Sequence, residues 1–309
     1  MLSEYYNDLA EELKSRFPQS TILIEEPMKC HTTFKIGGSA DIYVEPALDD
    51  VVAILKFLAK DSQTQFMVIG NGSNLLVSDD GIQGVVVAIT KKAAKIEIDE
   101  EHIKVSAGTF LSQVANAAAD AGLTGLEFAA GIPGTIGGAV YMNAGAYGGE
   151  MKDVIESVTI LTKDFQLKEV SVEALDLGYR HSSLMEEGGL VVSATLSLHK
   201  GDKAAIRQIM DENRQKRIDK QPLNFPSAGS TFKRPTGYFA GKLIDDAGLR
   251  GYTVGGAQVS EKHCGFVVNT GNATAADVIQ LIKDVDAKVY QEFGVHLSPE
   301  VRIIGRNIN

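Results

Sequence analysis

Along this chain the spacing of apolar residues changes several times, and each change predicts an element. From residue 3 to residue 17 apolar and charged positions alternate at helical spacing, which predicts a short amphipathic helix. Between 21 and 90 strands are predicted over 21–24, 40–44, 65–69 and 84–90. One helix interrupts them over 49–60, where Val52, Leu55 and Leu58-Ala59 share a face. The short alternating runs 95–98 and 103–107 suggest a hairpin, and the Ala-rich run 111–121 predicts a helix stopped by Gly122. Strands follow near 154–162 and 190–198. At about residue 200 the composition shifts to a charged helix, 202–217, which runs to Lys220-Gln221-Pro222, where proline bars continuation. A helix over 238–247 closed by Gly248 and two strands, 253–259 and 265–269, come next. The strongest helix starts at Thr274, where Thr274-x-x-Asp277 makes a capping-box-like start with Asp in place of Glu or Gln. Val278, Ile282, Val285, Val289 and Phe293 form its apolar stripe, predicted to pack into a core, and Gly294 closes it. The chain ends on an extended run, 300–305, and holds no internal repeat or low-complexity linker.

Composition narrows the function classes. The 309 residues suit two or three domains, and 23% charged with 44% hydrophobic residues argues against global disorder. A formal net charge of −10 counts against a nucleic-acid binder that works by neutralising phosphates, while leaving room for a local basic pocket. The two cysteines, Cys30 and Cys264, make neither a disulfide framework nor a zinc ligand set, and read as buried or idle thiols. The acidic N-terminus lacks the basic and apolar regions of a secretory signal, and no apolar run approaches the roughly 18 residues that cross a bilayer. A soluble protein of a reducing compartment, the cytoplasm, is expected, with no nucleic acid and no membrane as partner and no obligate protein partner indicated.

Glycine, 31 residues in all, is concentrated in a few stretches. In Gly70-Asn71-Gly72-Ser73-Asn74 an apolar strand runs straight into Gly-x-Gly, whose backbone N–H groups can turn toward an anion. A dinucleotide-binding fingerprint would need a third glycine and then a helix. Asn74 stands where that glycine belongs and Leu75-Leu76-Val77 reads as extended, so the fingerprint is rejected; a phosphate loop on another scaffold and a plain tight turn both stay open. The second stretch runs from Gly131 to Gly149, with glycine at 131, 134, 137, 138, 145, 148 and 149. Ordering such a run is entropically costly, and a flexible linker would lack its Ile, Val, Met and Tyr residues. It reads as backbone that must approach something flat or charged. Three polar segments remain: Gly178-Tyr179-Arg180-His181-Ser182-Ser183, Ser227 to Pro235, and Ser298 to Gly305. In an extended strand Glu300 and Arg302 would share a face. Each alone reads as a capped turn or a solvated charge, and spacing does not show that they meet.

Taken in order, these segments closely resemble the UDP-N-acetylenolpyruvoylglucosamine reductase family. The resemblance starts at His31 (HTTFKIGG) and takes in GNGSN at 70–74, GIPGTIGGAVYMNAGAYG at 131–148, YR at 179–180, AGSTFKRP at 228–235 and PEVRIIG at 299–305. The chain is similar to the shorter type, without the tyrosine-bearing insertion after Tyr179-Arg180. The resemblance implies an α+β fold: an FAD-binding fold of two subdomains, of the vanillyl-alcohol oxidase (PCMH) type, plus a smaller C-terminal α/β substrate domain. The parts would be 1–90 with the C-terminal strand 297–309, then 91–200, then 201–296. It implies bound FAD, NADPH as hydride donor, and reduction of UDP-N-acetylglucosamine enolpyruvate to UDP-N-acetylmuramate for peptidoglycan.

The roles carried over are residue by residue. Gly70, Asn71, Gly72, Ser73 and Asn74 would cradle the flavin pyrophosphate. Gly131-Ile132-Pro133-Gly134-Thr135, Gly137-Gly138-Ala139, Tyr141, Asn143 and Gly145-Ala146 would pass along the pyrophosphate and the isoalloxazine. Arg180, Ser230 and Glu300 would be catalytic. A fixed cation must face the charge that builds on the enolpyruvyl group, and a guanidinium can grip its carboxylate with two hydrogen bonds. Ser230 would donate the proton, since even a weak acid serves a strongly basic enolate. Glu300 beside a developing anion would need a cation such as Arg302, or a proton of its own. Lys220 would bind the substrate diphosphate with Tyr179 flanking the substrate, and Arg234 stands where relatives carry Asn on the uridine side. His263 reads as a core or surface residue. Two rivals are an alcohol or sugar oxidase on the same scaffold and a non-catalytic nucleotide-binding regulator.

Overall fold

The Ser3 hydroxyl accepts the Tyr6 amide and starts the first helix, Glu4–Arg16, which buries Leu9, Ala10 and Leu13. The computed structural model describes residues 3–308 of the chain. It divides into two compact units, one of residues 1–24, 42–71 and 84–217, the other of 25–41, 72–83 and 218–309.

In the first unit a helix, Val51–Leu58, and a parallel pair, Phe66–Ile69 beside Ile82–Ala88, follow the predicted alternation. The suggested hairpin forms as Ile96–Asp99 against His102–Ser106, and it joins a five-stranded antiparallel sheet. The order is Leu167–Ser171, Ile155–Leu161, Leu190–Ser197, His102–Ser106, Ile96–Asp99. The helix Leu111–Ala121 ends at Gly122, whose φ is 75°. One core of Leu, Ile, Val and Ala side chains runs through the unit, from Leu9 to Met210. The edge strand Leu167–Ser171 was not predicted. It is exposed at four of five positions, so it carries no apolar alternation to read.

The second unit has its own core, including Phe34, Leu76, Phe232, Ile244, Val285 and Val301. The helix Ala275–Phe293 starts at the Thr274 capping box and ends at Gly294, φ 67°. Asp79 also caps this helix, its carboxylate accepting the Ala275 N–H at 2.8 Å and the Ala276 N–H at 3.0 Å. Val278, Ile282, Val285 and Val289 are buried as predicted, but Phe293 is 40% exposed. At about 100° per residue Phe293 lies roughly 60° round from Val278, at the stripe's edge and in the last turn.

Two expected strands differ. The run 253–259 is a hairpin, with Thr253 opposite Gln258 and Val254 opposite Ala257. Gly255 and Gly256 turn the chain there, and the Gly256 N–H donates to Asp277 Oδ2 at 3.1 Å. The apolar run hid two glycines in a turn position. The terminal strand covers only Arg302–Ile304, parallel to Leu75–Val77, because the chain bends at Val301. Glu300 therefore precedes the strand, and the alternation that would put it on one face with Arg302 does not apply. No helix of the described residues is long and apolar enough to cross a membrane.

Candidate active site

The two glycine-rich stretches meet inside the first unit. Asn71 Nδ2 donates to the Pro133 carbonyl at 2.7 Å. A Cβ on Gly70 would stand 2.4 Å from Thr135 Oγ1, so glycine is what lets the segments approach. The second stretch is not loop throughout. Thr135 begins a short helix, Ile136–Tyr141, that the density of glycine concealed. Gly137 in it donates its N–H to the Ala107 carbonyl at 2.9 Å, and a Cβ there would lie 3.1 Å from that of Ala107. Gly134 accepts the Leu111 N–H at 3.0 Å, and Ile132 donates to the Ala129 carbonyl at 3.0 Å. Ala139 is buried, Gly138 exposed. Gly145–Ala146 pairs with Gly149–Glu150 in a hairpin.

Thr135 Oγ1 is a buried hydroxyl with no hydrogen-bond partner. A buried polar atom left unpaired costs about 1–3 kcal/mol, so it marks a place where a polar ligand atom is wanted. Against Gly131, four residues before Thr135, lies Arg217, which sequence reasoning passed over. A Cβ on Gly131 would come within 2.9 Å of Arg217 Nη1. Burial pulls this guanidinium below its usual pKa, with Tyr147 as an opposing influence. The only signal for it was its place at the end of the charged helix Lys203–Lys220, three residues before the singled-out Lys220. A glycine-lined cradle, an orphaned hydroxyl and a half-buried cation on one unit fit a nucleotide cofactor such as the expected FAD.

Gly72, Ser73 and Asn74 belong to the second unit. Gly72 has φ +61°, and a Cβ on it would sit 2.2 Å from the His31 carbonyl oxygen. Gly72→Ala should therefore cost at least about 1–2 kcal/mol from the left-handed backbone alone, lowering the midpoint of thermal unfolding by several degrees. Gly138→Ala, exposed in its helix with no atom nearer than 3.9 Å to the new methyl, should instead gain about 0.5–1 kcal/mol. Differential scanning calorimetry of both variants checks the opposite signs.

Arg180 sits in the first unit, in the turn Gly178 to His181, whose ends exchange two backbone hydrogen bonds of 3.2 Å. Its φ is +54°. A non-glycine residue held there costs about 1–3 kcal/mol and persists only where the surroundings hold it. Its guanidinium lies 5.2 Å over the exposed Tyr179 ring. Asn143 is fully buried and its side-chain amide is occupied within the protein: Nδ2 donates to Gly178 O and to Glu150 Oε2, both at 3.0 Å, and Oδ1 accepts the Lys152 N–H at 3.0 Å.

Ser230 and Glu300 lie in the second unit on neighbouring segments. Ser230 bridges Phe266 and Phe232 bridges Pro299, both antiparallel. Between them Thr231 takes the Glu300 N–H on its carbonyl at 2.8 Å and the Val267 N–H on its hydroxyl at 2.9 Å. Asn74 extends this lattice, its Nδ2 donating to the Glu300 carbonyl at 3.2 Å while its own carbonyl accepts the Arg302 N–H at 2.9 Å. Three segments distant in sequence are thus locked together along the backbone around Ser230, Thr231 and Glu300. Lys220 is exposed. The Arg234 guanidinium covers the Phe239 ring at 4.0 Å. His263 is half-buried, accepts the Gly265 N–H on Nδ1 at 3.1 Å and packs edge-on to Phe266; burial lowers its pKa. Among the described residues no group of three or more His, Cys, Asp or Glu is arranged to hold a metal ion.

Comparison with known proteins gives the family. A family model described as UDP-N-acetylenolpyruvoylglucosamine reductase, C-terminal domain, matches residues 221–304. A second, described as FAD binding domain, matches residues 40–171 and bears out the expected α+β flavin-binding fold. The UDP-N-acetylenolpyruvoylglucosamine reductase of Agathobacter rectalis is 55% identical over 307 residues, spanning 96% of this chain and 98% of that one. That of Clostridioides difficile is 47% identical over 97% of this chain and 99% of its own. The crystal structure of UDP-N-acetylenolpyruvylglucosamine reductase from Thermus caldophilus matches with a TM-score of 0.77 and 35% identity, over 92% of this chain and 98% of that chain. The chain belongs to the UDP-N-acetylenolpyruvoylglucosamine reductase family.

Proposed function

We propose that this protein reduces UDP-N-acetylglucosamine enolpyruvate to UDP-N-acetylmuramate, using FAD and NADPH. The observation that carries the reading is the backbone locking of the Ser230 segment to the Glu300 segment through Thr231, which supports a shared task for the two residues. The residues at 70–74 and 131–146 would hold FAD, which, when bound and reduced by NADPH, would supply the hydride for the terminal carbon of the enolpyruvyl group. Arg180 holds the substrate carboxylate and stabilises the negative charge that spreads into it. Ser230 delivers a proton from Oγ to the carbon next to the carboxylate. Glu300 completes the catalytic set.

Lys220 binds the substrate diphosphate, Tyr179 flanks the substrate, and Arg234 serves the uridine side. The segments 70–74 and 131–146 hold the cofactor, with Asn71, Thr135 and the glycines at the closest approach. In this reading residues 1–90 with 297–309, and 91–200, form the cofactor-holding parts, and 201–296 the substrate-holding part. The work is done in the cytoplasm, for cell wall precursor synthesis and so for cell shape and division.

The purified protein is expected to show visible flavin absorption that bleaches anaerobically with NADPH and returns when UDP-N-acetylglucosamine enolpyruvate is added. A protein that takes up no FAD, or a bleached flavin that oxygen reoxidises readily and this substrate does not, overturns the reading.

A further inference from the structure

We propose that Asn143 and Ser182 are positioning residues that set Arg180 for its substrate carboxylate. The inference rests on the reading of Arg180 given above. Arg180 occupies the third position of a four-residue turn with φ +54°, where glycine or asparagine is usual. Between paired residues such as Gly178 and His181, a turn of this kind also fits the natural twist of the chain poorly. The turn must therefore be held from outside.

Both of its ends are held, and by one short segment. Before the turn, Asn143 Nδ2 donates to the Gly178 carbonyl at 3.0 Å, the same oxygen that accepts the His181 N–H at 3.2 Å. After it, Ser182 Oγ donates to the Tyr141 carbonyl at 2.7 Å. Asn143 and Ser182 are both 0% exposed. Tyr141 and Asn143 lie at the end of the short helix in the glycine-rich stretch, so the segment assigned to the cofactor also carries the turn that presents the guanidinium. Asn143 is itself fixed by Glu150 and by the Lys152 N–H, each at 3.0 Å, which leaves its amide no freedom to rotate. A cation stabilises developing charge most when its place is settled beforehand, and a misplacement of about 1 Å can cost roughly 10²-fold in rate.

The test is stopped-flow measurement of both half-reactions on the FAD-loaded protein. Ser182→Ala, nearly isosteric, and Asn143→Ala should each slow flavin reoxidation by UDP-N-acetylglucosamine enolpyruvate by about 10²-fold, more than they slow flavin reduction by NADPH. In an Arg180→Ala background the same substitutions should cost less than about two-fold further, because residues that act through one group are not additive. Equal slowing of both half-reactions, or full losses that add to that of Arg180→Ala, would make the two residues merely structural and overturn the proposal; Ser182→Ala decides it if Asn143→Ala does not fold. If Arg180→Ala leaves the substrate half-reaction unchanged, the role given to Arg180 fails and this inference falls with it, an outcome separate from the one in which Arg180 matters and its two tethers do not.

Discussion

Ser230→Ala is expected to collapse flavin reoxidation by the enolpyruvyl substrate by about 10²–10⁴-fold, the worth of a positioned proton donor, while reduction by NADPH proceeds near its normal rate. The structure makes this a clean substitution. Ser230 is held by backbone pairing with Phe266, and the hydrogen bonds that fix the segment belong to Thr231 and its neighbours. Alanine keeps all of them, so a fall in rate would report the missing hydroxyl and not a displaced strand. Rapid-mixing absorbance of the flavin resolves the two half-reactions. Unchanged turnover would remove Ser230 from the mechanism.

Arg180 should behave differently, because function and backbone strain pull in opposite directions there. Arg180→Lys is expected to lower the substrate half-reaction by about 10²–10³-fold, since an ammonium cannot reproduce the two-pronged grip of a guanidinium on a carboxylate. Arg180→Gly should be at least as damaging to the reaction, yet raise stability by about 1 kcal/mol, because glycine adopts φ +54° without the left-handed penalty. Thermal unfolding and stopped-flow rates on the same preparations check both signs. A variant that loses both activity and stability would mean the side chain holds the fold; one that loses neither would mean it serves nothing at this position.

Much of the first level of organisation was legible in the residues. The helix over Leu111–Ala121 and its Gly122 stop, the hairpin at 96–106 and the capped helix from Thr274 to Gly294 follow from spacing, caps and punctuation, which are properties of a few neighbouring residues. The extended run after Asn74 was legible too, and it is the strand Leu75–Val77. Where local signals compete, spacing alone misplaces elements. Glycines masked the helix Ile136–Tyr141, and an apolar run masked the turn at Gly255-Gly256. The solvent-facing edge strand Leu167–Ser171 offered no alternation at all.

By itself the sequence determined which segments are unusual and, through their order and wording, the family to which the chain belongs. The tertiary structure alone decided which of those residues meet. Nothing in the spacing joins Gly70 to Thr135, Asn143 to Gly178, or Thr231 to Glu300, because these contacts close loops of tens of residues and depend on how sheets and helices pack. The same holds for Arg217, one cation among many in a charged helix until packing sets it against Gly131. Local propensity writes the elements; only burial of the whole chain chooses which polar groups must find one another, since a buried hydroxyl or guanidinium without a partner costs more than a solvated one.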